Sequence, residues 1–357
     1  MATRTDSGNY WTLGREPPIG VLISHYFEWE DVITGGHAQS VQNQRKMLDA
    51  RNVEYTTEPV LDADILHLNN MGPRSIYYAK RAKRAGVPVV VHTHQTAEDF
   101  RESFAFSNTL ARPMRPYLEY AYSLADHLIC PSEYNRDVIE AYADAPKTVL
   151  SNGFDPDRLT GFESLREEYL QRYDLEPPVI FTVGHVIPRK GLKAFVETAR
   201  AMPDLDFAWF GYLNPTGGGP VDRLLRSRET TRLVENAPEN CTFTGYVEDI
   251  RGAFAAGDVF FFPTKNENEG MALLEAMACG RPPVVRDIPT FEWLEDGEDS
   301  LKASADFTEP LDRLRDPDLR ERLGERAAER SEAFTLGAIG DDLVDLYRRV
   351  LDGTIEE

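Results

Sequence analysis

The sequence predicts an α/β protein built from two doubly wound domains that face each other across a cleft. Three observations lead there. Apolar runs of strand length alternate with helix-like stretches along the chain, the pattern of a parallel sheet with helices on both faces. The runs are continuous, as in VPVVVH at 87–92, which is what burial on both faces requires. The series then begins again after Pro177 and Pro178, in a chain of 357 residues, a length suited to two cores.

In chain order, Ile19–Ser24 reads as the first strand and Gln39–Ala50 as a helix. Ile65–Leu68 and Val87–His92 read as strands, with the helix Ser75–Ala85 between them. His127–Cys130 and Thr148–Leu150 complete the first half. Leu165–Tyr173 is a helix ended by the proline pair. Val179–Val183, Phe207–Phe210, Cys241–Phe243, Val259–Phe262 and Pro283–Val285 are the strands of the second half, with the helix Leu192–Ala201 after the first of them. Gly217–Gly219 mark a loop before a helix near Val221–Arg226, and Leu336–Leu351 is a final amphipathic helix. The domain boundaries expected are 1–158 and 159–335.

Composition narrows the function. Sixty acids against 39 bases give a net charge of −21, which excludes a general nucleic-acid binder, since phosphate contacts need clustered cations. Lys is scarce among those bases, eight residues, and the chain is otherwise acidic. That balance suits a cytoplasm full of salt, where self-repulsion is screened within roughly 3 Å at 1 M. It reads as a halophile signature, with an ordinary acidic protein from a GC-rich genome as the plain alternative. Cys130, Cys241 and Cys279 are far apart and lack metal-ligand spacing. Residues 1–18 are polar, and no stretch approaches the ~20 apolar residues of a membrane span. A soluble or peripheral intracellular protein is expected.

The most specific segment is PTKNENEGMALLEAMACGRPPVV at 263–285. Glu267 lies in a loop directly after a buried strand, and Glu275 stands eight positions on, inside a helix that Gly270 opens. The backbone N–H groups of Gly270, Met271 and Ala272 then point toward the strand ends, a ready anion site. N–H donors for a diphosphate and carboxylates for hydroxyls are together what a sugar nucleotide needs. Glu275, among Leu274, Ala276 and Met277, requires partners for a carboxylate near a core. Glu269 is expected to be a solvated loop residue, and His92, at the end of a buried strand, a structural one.

These residues resemble family 4 retaining glycosyltransferases of the GT-B fold, whose signature is a Glu pair with seven residues between, followed by EAMAxGxPVV. Gly35 and Gly36 match that family's first glycine loop, LSNGFD at 150–155 the turn before the interdomain linker, VGHVIPRKG at 183–191 the donor-phosphate loop, and FTGYV at 243–247 the turn near the nucleobase. HTHQTAEDFRESFAFSN at 92–108 looks like the corresponding stretch of bacterial diacylglycerol glucosyltransferases, as do ENEGMALLEA and VRDIPTFEWLEDG; PRKG is also similar to phosphatidylinositol mannosyltransferases.

The resemblance implies two Rossmann-like domains, with the segment 336–357 returning to the first. It implies a nucleotide sugar, most often UDP-glucose, as donor and a membrane lipid such as a diacyl- or dialkylglycerol as acceptor. Arg189 and Lys190 would contact the diphosphate, with Gly191 allowing close approach. Glu275 would hold the ribose hydroxyls, Glu267 the sugar hydroxyls, and Tyr246 would lie near the base. His94 would stand beside the donor sugar. Many members carry Arg where this chain has His185, so Arg189 is expected to supply the missing cation. No metal or other cofactor is expected. Front-face attack by the acceptor hydroxyl, with the departing phosphate taking its proton, is the mechanism implied.

Charge distribution points to the acceptor side. Ile65–Leu118 holds eight Lys and Arg against three Asp and Glu, together with aromatics. Lys80, Arg81, Lys83 and Arg84 with Phe104 and Phe106 are therefore expected to meet an anionic membrane surface, on the inner face of the cell membrane. A solvated helix face is the plain alternative for Lys80–Arg84. The competing functions are transfer to a polyprenyl-linked or soluble glycan, a sugar-nucleotide epimerase on the same fold, and an inactive nucleotide-sugar-binding subunit.

Overall fold

A computed structural model describes residues 19–103, 107–213 and 227–354. They form two six-stranded parallel sheets, which is the predicted architecture. The first sheet has the order β2-β1-β3-β4-β5-β6, with β1 Leu22–Tyr26, β2 Glu54–Thr56, β3 Ile65–Leu68, β4 Val89–His92, β5 His127–Cys130 and β6 Lys147–Val149. The second has the order β12-β11-β10-β7-β8-β9, with β7 Val179–Val183, β8 Asp206–Phe210, β9 Cys241–Gly245, β10 Val259–Phe262, β11 Pro283–Arg286 and β12 Leu301–Ala303. Both sheets reverse direction of growth beside their first strand, between β1 and β3 and between β7 and β10. At such a switch point the loops at the carboxyl ends diverge and leave a crevice.

Each sheet is covered on both faces, and the strands show it residue by residue. Leu66, Leu68, Val89, Val91, Leu128 and Cys130 enter one core, and Ile65, Val90 and Ile129 the opposite one. The helix Leu336–Asp352 buries Leu336, Ile339, Leu343, Val344, Leu346 and Tyr347 in this second core, beside the helix Gly36–Ala50. The chain thus crosses between the halves twice, side by side: Phe154 pairs with Thr335 as an isolated bridge, and Leu336 N–H donates to the Phe154 carbonyl at 3.1 Å.

The differences from the sequence expectation have local causes. β1 begins at Leu22 and runs on through the polar His25 and Tyr26, because these pair with β3. The edge strands β2 and β12 are three residues each and show no apolar run. The helix Ser107–Tyr122 holds Pro113 and Pro116, which mask its periodicity. The helix expected near Val221–Arg226, the Gly217–Gly219 loop, Phe104 and Phe106 lie outside the described residues. No helix among the described residues is long and apolar enough to cross a membrane.

Candidate active-site cleft

The carboxyl ends of both sheets open onto one cleft of about 630 Å³, lined from the first half by Gly35, Gly36, His37, Ser40, His94 and Asp99 and from the second by His185, Arg189, Lys190, Tyr246, Glu267 and Glu275, among others. Gly35 sits at φ +74°, and a Cβ there would come 3.0 Å from the His185 ring. A Cβ on Gly36 would lie 3.7 Å from Met271 Sδ. The glycine loop after β1 therefore touches the phosphate-loop candidate after β7 and the helix Met271–Ala278 directly.

On the second wall, charge is arranged in pairs. Lys190 Nζ donates to Glu267 Oε1 at very short range. Arg189 reaches the same carboxylate at 3.4 Å and donates to the Asn266 carbonyl at 2.7 Å. Burial pushes the Glu267 carboxyl up, but Lys190 and Arg189 overcome it and hold the group below its ordinary value. Burial lowers Lys190 despite the carboxylate beside it. Glu275 is buried inside its helix and accepts from Arg158 Nη1 at 2.7 Å; burial raises its carboxyl and Arg158 opposes the rise. Gly270 opens that helix at φ +100°, a left-handed conformation that glycine adopts without strain.

One expectation, that for Glu269, needs correcting here. Gly191 stands between Lys190 and the helix Leu192–Ala201. Its φ is +82°, and a Cβ would strike the Pro263 carbonyl oxygen at 2.2 Å, so the glycine lets the loops after β7 and β10 pack together. Glu269 is not solvated. It is 6% exposed and accepts from Ser151 Oγ, from the Asn152 N–H at 3.1 Å and from Asn152 Nδ2 at 2.7 Å. Burial pushes its carboxyl up to about 7 against those hydrogen bonds. The sequence NENEG gave no sign that successive residues would fasten the loop to the other half. Asn266 donates to Asp99 at 2.6 Å, and Asn268 accepts from Asn135 at 2.8 Å and donates to the His94 carbonyl at 3.2 Å. Arg189 joins this seam: its backbone N–H donates to the Glu102 carbonyl at 3.2 Å and its Nε to Ser103 Oγ at 3.3 Å.

The first wall carries the carboxylate of Asp99, which Arg189 faces at 3.7 Å, and is otherwise built of neutral polar groups. His25 and His67 are register partners on β1 and β3, and His92 ends β4, so three imidazoles share one face of the sheet. His94 stacks on His92 at 4.2 Å with the rings 2° apart, and His37 packs 4.4 Å from His94. Gln44 bridges His25 and His92 at 2.9 and 3.0 Å, and Tyr347 bonds His67 Nδ1 at 2.6 Å. Burial holds His25 and His37 at about 4 and His92 at about 3, with His94 and His67 well below their ordinary value. The cluster is neutral near pH 7. His185 is also neutral, lowered to about 4 by burial and by Lys190 and Arg189; its Nε2 is buried and has no hydrogen-bond partner among the described residues. Its ring stacks 6.0 Å from Tyr212, which in turn stacks 4.5 Å from the exposed Tyr246.

Lys80, Arg81, Lys83 and Arg84 fall outside the cleft, on the helix Pro73–Ala85. Arg81, Lys83 and Arg84 are exposed, while Lys80 lies 5.0 Å over the Tyr120 ring and Lys83 pairs with Asp126 at 3.1 Å. Tyr77, Tyr117 and Tyr120 are exposed on this helix and on Ser107–Tyr122.

Comparison with known proteins matches residues 34–158 to the model described as Glycosyltransferase Family 4 and residues 177–316 to the one described as Glycosyl transferases group 1. The chain is 33% identical to the processive diacylglycerol alpha-glucosyltransferase of Acholeplasma laidlawii, over 88% of this chain and 94% of that protein. It is 27% identical to the sulfoquinovosyl transferase SQD2 of Arabidopsis thaliana, over 76% of this chain and 54% of that one. Among solved structures, Anabaena HepE in complex with UDP and glucose superposes with a TM-score of 0.71 at 15% identity, covering 92% of this chain and 99% of that one. Sucrose-phosphate synthase from Thermosynechococcus elongatus gives 0.74 at 16%, covering 93% and 99%.

Proposed function

The chain belongs to glycosyltransferase family 4, and from that premise we propose that it moves a hexose, glucose in the first instance, from a UDP-linked donor to the hydroxyl of a membrane lipid such as a diacyl- or dialkylglycerol, with retention of configuration and without a metal. The observation that carries the reading is the pairing of Lys190 with Glu267 at the switch point of the second sheet, with Glu275 on the adjoining helix. The diacylglycerol substrate in the name of the Acholeplasma relative supports the lipid acceptor.

The resting cleft holds its cation already neutralised. A buried ion pair repays its desolvation only while both partners stay matched. A donor diphosphate takes over Lys190, and Glu267 is then free to accept hydrogen bonds from the sugar hydroxyls. The first-turn N–H groups of Met271 and Ala272 add donors at the anion. As the glycosidic bond to the donor breaks, charge grows on the diphosphate, and preorganised donors there favour the transition state over the ground state. The acceptor hydroxyl attacks from the same face, and its proton passes to the departing phosphate oxygen. His94, neutral and fixed between two imidazoles, serves as a hydrogen-bond partner for the sugar; a proton relay through it would need a charged form that burial disfavours. Arg189 contributes through Glu267 and through the seam to the first half. Tyr246 and Tyr212 offer a stacked face for the base.

The exposed cations and tyrosines of the helices Pro73–Ala85 and Ser107–Tyr122 are proposed as the face that meets anionic lipid, with Phe104 and Phe106 beside it in sequence. On this reading the protein works as a peripheral enzyme on the inner face of the membrane. The acidic, Lys-poor composition supports reading it as a halophile's protein.

The test is transfer itself. Purified protein, labelled UDP-glucose and dioleoylglycerol in anionic mixed micelles should yield an α-glucosylated lipid, in high salt and with EDTA present. Label appearing only in a water-soluble or polyprenyl-linked product, or only as an epimerised sugar nucleotide, would replace the lipid-acceptor reading with that alternative. Loss of transfer on chelation, restored by a divalent ion, would remove the metal-free mechanism.

A further inference from the structure

Glu275 has one charged partner that no motif predicts. Arg158 stands in the short 3-10 turn Pro156–Leu159, on the first of the two crossings between the halves. Its guanidinium bonds Glu275 at 2.7 Å, with the Arg158 side chain 30% exposed and that of Glu275 10%. The turn is fastened at both ends. Leu159 is buried in the core of the second half beside Phe154, and Asp155 pairs with Lys46 on the helix Gly36–Ala50. Arg158 also lines the cleft. A carboxylate inside a helix of apolar neighbours has several rotamers that lose solvent and gain nothing; an ion pair selects one of them.

We propose that Arg158 is a positioning residue for the donor, fixing the Glu275 carboxylate in the orientation that faces the cleft. The role rests on Glu275 as the acceptor of the ribose hydroxyls. The Asp155–Lys46 pair ties the turn to the helix that starts at Gly36, so nucleotide binding is coupled to the seating of one half on the other.

Binding of UDP and of uridine by calorimetry, with steady-state transfer alongside, tests this. Arg158→Met and Arg158→Gln should weaken both nucleotides by about 10-fold, as loss of one charge-assisted hydrogen bond predicts. The donor KM should rise in step while kcat at saturating donor stays within about 3-fold. Arg158→Lys should recover most of the affinity. Arg158→Met combined with Glu275→Gln should bind no worse than Glu275→Gln alone, since one residue acts through the other. A loss for UDP but not for uridine would mean that Arg158 touches the diphosphate itself and would overturn the proposal. So would unchanged affinity, a fall in kcat with KM unmoved, or additive losses in the double variant. If Arg158→Met fails to fold, Arg158→Gln and Arg158→Lys carry the same comparison. Wild-type protein that binds neither nucleotide would instead overturn the donor-site reading on which the role depends.

Discussion

The two walls of the cleft solve opposite problems. The second half presents Arg189, Lys190, Glu267 and Glu275, and each of these charges is matched by another. The first half presents His37, Ser40 and His94, backed by an imidazole cluster that burial keeps neutral, with Asp99 as a carboxylate at the seam, 3.7 Å from Arg189. A wall of exchangeable ion pairs suits a polyanionic nucleotide, because the incoming phosphate inherits a cation already desolvated. A neutral polar wall suits an uncharged alcohol, which needs hydrogen bonds and gains nothing from a fixed charge. Under the proposed function the charged wall serves the donor diphosphate and ribose, and the largely neutral wall serves hydroxyls, those of the donor sugar at His94 and that of the acceptor, with the NENEG loop as the seam between them.

The sharpest way to break that division is to remove the charge from the donor wall. Lys190→Gln should lower kcat by about 10²–10³-fold, the scale of one electrostatic contact made in the transition state. It also leaves Glu267 buried with Arg189 as its remaining cation. A variant with near-normal turnover in a lipid-transfer assay would dissolve the contrast between the walls.

A smaller effect distinguishes the walls by pH. The imidazoles of the first wall are depressed from 6.5 to about 4 at His25 and His37. Unfolding therefore takes up protons below pH 6.5, and stability falls as the pH drops toward 4, by about 1.4 kcal/mol per proton per pH unit. Glu269 acts in the other direction. Its carboxyl is raised from 4.5 to about 7, so its contribution is complete below 4.5 and is lost as the pH rises through 7. Thermal melts between pH 4 and 8 should show His67→Phe reducing the acid-side slope and Glu269→Gln reducing the loss between pH 5 and 7. Equal slopes in both variants and the wild type would mean that neither group titrates with folding.

The smallest effect lies outside the cleft. Arg81→Gln with Arg84→Gln should weaken binding to anionic vesicles by up to about 30-fold at low salt, at about 1 kcal/mol or less per base, and by less at 1 M salt. UDP binding should be unchanged. Sedimentation that moves in neither salt condition would return this face to ordinary solvated surface.

Sequence by itself determined the layered architecture and the local placement of the Glu pair. Continuous apolar strands can only be buried on both faces, and Glu267, Gly270 and Glu275 lie in one contiguous segment whose spacing along a loop and a helix is fixed by local geometry, whereas Lys190 reaches Glu267 from 77 residues away. Tertiary structure decided what joins segments far apart. His25, His67 and His92 meet because β1, β3 and β4 are neighbours in one register; nothing local to any of the three says so. Glu269 looks like a loop carboxylate until the loop docks on Ser151 and Asn152, more than a hundred residues away. Arg158 has no motif, and only the crossing of the chain between the halves brings it to Glu275. Periodicity records which way a side chain faces within its own element, while a partner across a cleft is set by how two finished sheets pack, which leaves no periodic trace in either segment.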